Sequence, residues 1–241
     1  MTPKDIQRHN IICLGDTHDL KTIRGLLENE NMNDFVLIHV GDSGTGFKHQ
    51  AKEQSILDDL QKYCQDHDGY VLITQGNHDY PFAYQKHSWQ NMKYDRIEYI
   101  ENYSRKIING KNFLFAGGAT SIDRTARIPN KEWWPDEVFK LPENLEDLEE
   151  CDVLVTHSSG ITQFPDGGFA KIRGWLNRDT TLEKELVEER KQIQTLVDKV
   201  KPKLLHVWGH FHDSNVIYID GAVHRCLDIN EMWGIMHILN R

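Results

Sequence analysis

The chain has 241 residues, with 28 Lys or Arg against 37 Asp or Glu, and a formal net charge of −9. Such an acidic chain is not expected to bind duplex nucleic acid stably, because that needs a basic surface. No apolar run approaches the roughly 20 residues that cross a bilayer. The N-terminal residues also lack the apolar core of a signal peptide. We therefore expect a cytoplasmic protein without a membrane partner, folded as one domain over residues 1–241.

Cysteine usage gives no sign of a structural zinc site. Cys13, Cys64, Cys151 and Cys226 are widely spaced, and none belongs to a Cys-x-x-Cys pair. In a chain of this size, such spacing indicates reduced cysteines rather than a disulfide framework.

The first third of the chain alternates apolar strands with amphipathic helices. Asn10–Leu14, 35–40 and 70–73 are apolar runs typical of buried strands. Helices are predicted between them, over Leu20–Asn29 and about 48–65. This alternation indicates a sheet whose strands are joined by crossover helices. His39 lies within the second run and is interpreted as a core histidine.

The middle of the chain predicts a change of architecture. Short strands are expected over 96–100, 104–108 and 112–116, and Asn109-Gly110 indicates a hairpin between the last two. Residues 119–141 then form a long polar and aromatic loop. Loops of this length are usually functional, so we consider it a candidate lid.

The last third returns to strands and one long helix. Strands are predicted over 152–156, 204–208, 216–219, 223–227 and 234–238. A Gly-rich loop is expected over 164–169, and a helix over about 181–200. Thr180 and Glu183 are a candidate capping box for that helix.

Side chains able to bind metal or move protons follow five of these strands. An α/β protein places its chemistry at the carboxyl ends of its strands. Asp16 and His18 stand two residues apart, as do His210 and His212, and in extended backbone such pairs point to one side. The full set is Asp16 and His18, Asp42, Asn77 with His78 and Asp79, His157, and His210 with His212.

The donor types favour two ions of intermediate hardness. Carboxylate, amide and imidazole groups suit Mn²⁺, Fe, Zn²⁺ or Ni²⁺ better than a thiolate-seeking ion. Seven ligands are too many for one ion that keeps an open coordination position. We therefore expect two ions that share a carboxylate. Singly, Asp16, Asp42 and Asn77 are equally explained as turn residues, and His157 as a histidine at a helix start.

Together the ordered blocks resemble the calcineurin-like metallophosphoesterases. Each block is short, but five in order, each after a predicted strand, form a specific signal. The blocks are Gly15-Asp16-Thr17-His18, Gly41-Asp42, Gly76-Asn77-His78-Asp79, Thr156-His157 and Gly209-His210-Phe211-His212. The resemblance implies a four-layer αββα sandwich of two mixed β-sheets, with the metal site at the C-terminal ends of strands.

The resemblance also implies a role for each matching residue. Asp42 is expected to bridge two divalent ions. The implied ligands are Asp16, His18 and His212 for the first ion, and Asn77, His157 and His210 for the second. His78 is expected to act as a general acid or as a cation facing the phosphoryl oxygens. Asp79 is expected to orient His78 and favour its protonated form.

The expected activity is metal-dependent hydrolysis of a small phosphomonoester or phosphodiester. The alternatives are a metal-dependent nuclease acting on short single strands, and an inactive scaffold of the same fold. Protein phosphatases of the superfamily carry Gly-Asp-x-x-Asp-Arg-Gly and Gly-Asn-His-Glu, whereas here no Arg follows Asp42 in that pattern and the third block ends in Asp79. This departure weakens a phosphoprotein assignment.

Four residues of the long loop are candidate substrate contacts. Arg124 and Arg127 could bind phosphate with their forked guanidinium groups, although a surface position is the simpler interpretation of each, because arginine is common at surfaces. Trp133 and Trp134 have two interpretations, an aromatic cap over the core or a lid that stacks on a flat leaving group.

Overall fold

The structure is a computed structural model that describes residues 5–163 and 168–241. Most of the predicted Gly-rich loop at 164–169 therefore lies outside the described residues. The strands are β1 (Asp5–Ile6), β2 (Asn10–Leu14), β3 (Phe35–His39), β4 (Gly69–Ile73), β5 (Ile97–Tyr99), β6 (Arg105–Ile108), β7 (Lys111–Ala116), β8 (Val153–Thr156), β9 (Leu205–Trp208), β10 (Asn215–Ile219), β11 (Ala222–Cys226) and β12 (Met232–Gly234). The helices are α1 (Leu20–Asn29), α2 (Gln50–Asp66), α3 (Trp89–Lys93), α4 (Gly168–Lys171), α5 (Arg173–Leu176), α6 (Leu182–Val200) and α7 (Met236–Leu239).

The smaller sheet has five strands in the order β12-β2-β3-β4-β5. Strands β2 to β5 are parallel, and β12 is antiparallel to β2. Helices α1 and α2 cover its outer face, where Ile23, Leu27 and Leu57 pack against sheet residues such as Leu37. Helix α1 begins where the Asp19 carboxylate accepts the Lys21 backbone N–H at 3.0 Å, an N-cap bond.

The larger sheet has seven strands in the order β1-β6-β7-β8-β9-β11-β10. Its centre, β7-β8-β9-β11, is parallel. Strand β6 is antiparallel to β7, and β10 is antiparallel to β11. Helix α6 covers the outer face through Ile193, Leu196 and Val200, which pack on Leu114 and Leu154.

The inner faces of the two sheets pack against each other. Val36 and Ile38 of the smaller sheet share one buried cluster with Phe113, Val155 and Val207 of the larger sheet. Helices on both outer faces complete four layers. This confirms the predicted four-layer α/β sandwich with two mixed sheets.

Two local predictions were wrong. The apolar run 234–238 is not a strand, because β12 ends at Gly234 and residues Met236–Leu239 form α7. A short buried apolar run fits either state, and here the N–H groups of Ile238 and Leu239 bond to the carbonyl of Ile235. Helix α6 has Thr181 rather than Thr180 as its N-cap, and no side chain caps it. Among the described residues, no helix combines the length and apolarity needed to cross a bilayer.

Candidate metal centre

Loops after β2, β3 and β4 of one sheet, and after β8 and β9 of the other, carry the predicted ligands. All five strands belong to the parallel parts of their sheets. The five motifs that lie far apart in sequence therefore meet at one end of the sandwich.

A first group of donors consists of Asp16, His18 and His212. One possible ligand atom from each lies within 4.8 Å of the other two. The Nε2 atoms of His18 and His212 are 3.1 Å apart, and His212 Nε2 lies 3.1 Å from Asp16 Oδ2. Asp16 is fully buried, and it is fixed by the His210 backbone N–H, which donates to both carboxylate oxygens at 3.1 Å.

A second group consists of Asp42, His157 and His210, whose candidate ligand atoms also lie within 4.8 Å of one another. His157 Nε2 lies 3.1 Å from Asn77 Oδ1, so the amide oxygen joins this group. The ring nitrogen Nδ1 of His157 donates to the Val40 carbonyl at 2.9 Å. That bond turns Nε2 towards the other donors, the usual arrangement of a metal-binding histidine.

The Asp42 carboxylate belongs to the second group and also approaches the first. Its Oδ1 is 3.2 Å from His157 Nε2, and its Oδ2 is 3.8 Å from His18 Nδ1. Oδ1 also accepts the His78 backbone N–H at 2.7 Å. Burial would lower the pKa of His157, but the charge and hydrogen bond of Asp42 outweigh it and raise that pKa to about 10.

Two glycines allow the loops to approach this closely. A Cβ on Gly76 would lie 2.1 Å from the Asp42 backbone nitrogen, and one on Gly209 would lie 2.1 Å from Asp16 Oδ1. Both distances are below any ordinary contact, so a side chain at either position would push a ligand loop aside. The Gly that begins each of these two motifs is therefore required for the close packing of the ligand loops.

The ligand pairs converge by a different backbone route from the one predicted. We expected extended geometry at Asp16/His18 and His210/His212. Instead His18, His210 and His212 have φ values of 52°, 66° and 49°, in the left-handed region, and Asp42 has 58°. Such conformations are costly for residues other than glycine and concentrate at functional sites. The turn at His210 also lets His210 and His212 join different donor groups.

Asp79 is placed differently from the prediction. Its buried carboxylate holds the ligand loops, and none of its six hydrogen bonds comes from His78. Oδ1 accepts from Ser43 Oγ and from the backbone N–H groups of Gly44 and Thr45, while Oδ2 accepts from the N–H groups of Asp42 and Gly76 and from Tyr84 Oη. The physical reason is that the loop after β3 turns its N–H groups inward, where a buried carboxylate is their partner.

The Arg127 guanidinium, instead, lies directly against the His78 ring. Its Nη2 lies 2.8 Å from Nδ1 and 3.0 Å from Nε2 of His78. Asp123 pairs with the same guanidinium at 2.7 Å and the Glu132 carbonyl accepts from it at 3.1 Å, which holds Arg127 in place. Burial lowers the pKa of His78, Asp42 raises it and Arg127 lowers it, with a net downward shift.

Arg124, in contrast, does not contact His78. Its guanidinium donates to Asp179 at 2.7 Å, to Thr181 at 2.9 Å and to Glu185. It thereby ties the 119–141 loop to the start of α6, and we withdraw it as a phosphate contact. Of the two candidate arginines, only Arg127 is brought to His78.

The two tryptophans of the loop also differ. Trp134 is buried, and its ring lies 5.4 Å from the Phe47 ring and 5.5 Å from the Tyr80 ring, which matches the aromatic-cap interpretation. Trp133 is half-buried and pairs with Pro129 in an isolated bridge.

Two supporting residues, Ser121 and Glu137, were not identified from the sequence. The Asn77 amide nitrogen donates to Ser121 Oγ at 3.1 Å, which turns the amide oxygen to His157. Glu137 accepts the N–H groups of Ser121 at 3.1 Å and Trp134 at 3.0 Å. No local pattern predicts the contact between Asn77 and Ser121, because the two residues are 44 positions apart.

His39, predicted as a core residue, is buried but also links two ligand loops. Its Nδ1 accepts the Gly41 N–H at 3.2 Å, so Nε2 carries the proton that bonds Thr17 Oγ1 at 3.0 Å. Burial lowers the pKa of His39 to about 4, which keeps the ring neutral for this arrangement. Its position one residue before the end of the apolar run 35–40 was the available signal.

Comparison with known proteins agrees with this geometry. The family model for calcineurin-like phosphoesterases matches residues 9–214, and the chain belongs to that family. The family is one of metal-dependent phosphoester hydrolases, and the clustered carboxylate, amide and imidazole donors have the chemistry that divalent ions require. A search of the curated proteins finds no match.

Several solved structures resemble the chain in fold. One crystal structure aligns over 96% of both chains, with a TM-score of 0.53 and 12% identity. The phosphopantetheinyl hydrolase of Mycobacterium tuberculosis aligns over 92% of this chain and 90% of its own, with a TM-score of 0.39 and 15% identity. The cold-active protein-tyrosine phosphatase of a Shewanella species aligns over 93% and 73%, with a TM-score of 0.37 and 13% identity.

Proposed function

We propose that the protein hydrolyses a small phosphate ester with two divalent metal ions. The observation that carries the proposal is the position of Asp42, whose two carboxylate oxygens face different donor groups. The first ion would be held by Asp16, His18 and His212, and the second by Asn77, His157 and His210, with Asp42 shared. When bound, the ions offset the negative charge of the ester and make water nucleophilic near neutral pH.

Arg127 would supply a permanent positive charge beside the reacting group. Its guanidinium is held by Asp123 and lies against His78, which is itself close to His18 and Asp42. A forked guanidinium binds phosphate oxygens with two hydrogen bonds. This assigns to Arg127 the cationic role that the sequence suggested for His78.

His78 would deliver the proton to the leaving oxygen. Its pKa is lowered in the free protein by burial and by Arg127. An anionic ester bound next to the ring raises that pKa in the complex, so His78 takes up a proton there and returns it to the oxygen that departs. Asp79 would contribute by holding the loops that carry Asp42 and Asn77, not by touching His78.

The substrate is proposed to be small rather than a duplex nucleic acid. The net charge of −9 disfavours the many phosphate contacts that binding a duplex requires. All seven proposed metal ligands are present and lie together, which an inactive scaffold does not need.

Hydrolysis of p-nitrophenyl phosphate and of bis-p-nitrophenyl phosphate tests the proposal. Protein stripped by chelation should be inactive, and Mn²⁺ or Ni²⁺ should restore turnover of at least one ester. His87 is exposed and outside the donor groups, so His87→Ala is the matched control for histidine replacement and should behave as wild type. Protein that binds two ions but hydrolyses neither ester would contradict the proposal.

A further inference from the structure

Three exposed aromatic residues form one cluster with Trp134, on the segments of chain that follow Asp42 and His78. Phe47, Tyr80 and Phe82 are 42%, 37% and 50% exposed. The Tyr80 ring lies 5.3 Å from that of Phe82 and 5.5 Å from that of Trp134, and Phe47 lies 5.4 Å from Trp134. We call Phe47, Tyr80 and Phe82 the aromatic face. The buried Trp134 packs against Phe47 and Tyr80.

The aromatic face is joined to the proposed catalytic groups through short stretches of chain. Tyr80 is two residues beyond His78, so their Cα atoms are at most about 7 Å apart. Phe47 follows Asp42 by five residues, and the Tyr80 N–H donates to the Thr45 carbonyl at 2.9 Å, which holds the two segments together. Trp134 lies on the same loop as Arg127.

Packing alone does not account for this surface. Trp134 already fills the buried position, whereas the other three rings keep a large part of their area in water. Adjacent exposed aromatic residues beside a catalytic group are typical of a ligand surface. The chemistry also fits, because the organic part of a phosphate ester extends from the oxygen that His78 would protonate.

We infer that the aromatic face binds a planar ring on the leaving group of the ester. The substrate class would then be aryl or nucleoside phosphates rather than aliphatic phosphates. Ring stacking is tolerant of ring type, so the structure assigns a flat group and not a particular base. The inference rests on the proposed function and extends it to specificity.

The test compares kcat/KM for phenyl phosphate, adenosine 5′-monophosphate and glycerol 3-phosphate on the metal-loaded protein. Tyr80→Ala and Phe82→Ala should each lower the value on the order of 10-fold for at least one ring-bearing ester. Glycerol 3-phosphate should change less than about 2-fold, since it has no ring to stack. Comparing each variant with wild type on the same ester cancels differences in leaving-group reactivity.

Two further variants separate stacking from damage to the fold. Tyr80→Phe keeps the ring and should retain the wild-type preference. Met92 is also an exposed apolar residue, 74% accessible, but outside the aromatic face, so Met92→Ala should have no effect. Loss in Tyr80→Ala for phenyl phosphate alone would identify an aryl group, and loss for the nucleotide alone a nucleoside.

Equal losses on all three esters, or none on any, would overturn the inference while leaving the proposed function intact. If wild type hydrolyses none of these three esters, the p-nitrophenyl esters still decide the proposed function, and binding decides the inference. Calorimetry should show adenosine 5′-monophosphate binding more tightly than ribose 5-phosphate, with that advantage removed in Tyr80→Ala. Equal binding of the two compounds to wild type would overturn it.

Discussion

The Asp79 carboxylate accepts the backbone N–H of Asp42 at 3.0 Å, so the last residue of one motif fixes the proposed bridging ligand of another. The same oxygen accepts the Gly76 N–H at 2.8 Å. A single buried carboxylate thus joins the loops after β3 and β4. Asp79 is therefore part of the architecture of the metal centre and not a partner of His78.

Replacing Asp79 should weaken both folding and metal binding. In Asp79→Asn, an amide –NH₂ would face N–H donors, leaving several buried groups unpaired. We expect a loss of about 3 kcal/mol or more in the free energy of unfolding. Metal affinity should fall about 10- to 100-fold, measured by calorimetric titration of the metal-free protein.

Tyr84→Phe is the matched control, because it removes one of the six donors to Asp79 and leaves the carboxylate. Tyr84→Phe should lower the free energy of unfolding by about 1 kcal/mol and change metal affinity little. If Asp79→Asn altered only the pH profile of kcat, with metal affinity unchanged, Asp79 would act on His78 and the structural role would be wrong.

Ser121→Ala should impair the second metal position without disturbing the loop. The substitution removes the hydroxyl that accepts from the Asn77 amide, while the Ser121 backbone N–H still bonds Glu137. Metal affinity is expected to fall on the order of 10-fold, and Asn77→Ala should set the upper limit of the loss. Competition with a metal-binding dye measures both; wild-type affinity in Ser121→Ala would show that the hydroxyl does not orient Asn77.

His78 and Arg127 should act together in turnover but not in metal binding. We expect His78→Ala to reduce kcat by about 10²-fold or more with metal content retained. Because the two side chains touch, the combined loss in His78→Ala/Arg127→Met should be smaller than the product of the single losses. Arg124→Met is the control arginine and should keep kcat within a few-fold of wild type. A strictly multiplicative double variant would show that the pair is not linked.

Glu137 should make stability depend on pH. Burial raises the pKa of Glu137 from 4.5 to about 7, so between these values the folded state binds more protons than the unfolded state. Stability should therefore fall as pH rises through this window, by about 3 kcal/mol in total. Urea unfolding of the metal-free protein at pH 5 and pH 8 should show this loss in wild type but not in Glu137→Gln. Equal pH dependence in both proteins would contradict the assignment.

The fold was largely predictable because its central strands are mostly apolar. Fully buried parallel strands such as β3 are continuous apolar runs, and each ends where the polar motif starts. The prediction of a strand at 234–238 was wrong because the length and composition of this run suit a strand or a helix equally. Only the pairing of Gly234 with Ile12 and the turn at Ile235 decide between them.

The donor residues of the candidate site were predictable, but the hydrogen-bond and ion-pair partners of the residues around them were not. Asp16, Asp42 and His157 were identifiable because each follows an apolar run. The true partners of Asp79 and Arg124 were not, since a carboxylate or guanidinium carries no local sign of which distant group it meets. Likewise, the sequence did not show that Trp134 is buried while Tyr80 and Phe82 are exposed, because burial depends on tertiary packing.

The most direct test of the central claim follows bound metal and hydrolysis together. Metal-free protein is titrated with Mn²⁺, and ions per chain and turnover of the better p-nitrophenyl ester are measured at each point. We predict that activity rises to its maximum as the second ion binds, and that Asp42→Ala retains neither ion firmly and is inactive. Full activity with one ion per chain, or two tightly bound ions in Asp42→Ala, would contradict a centre shared through Asp42.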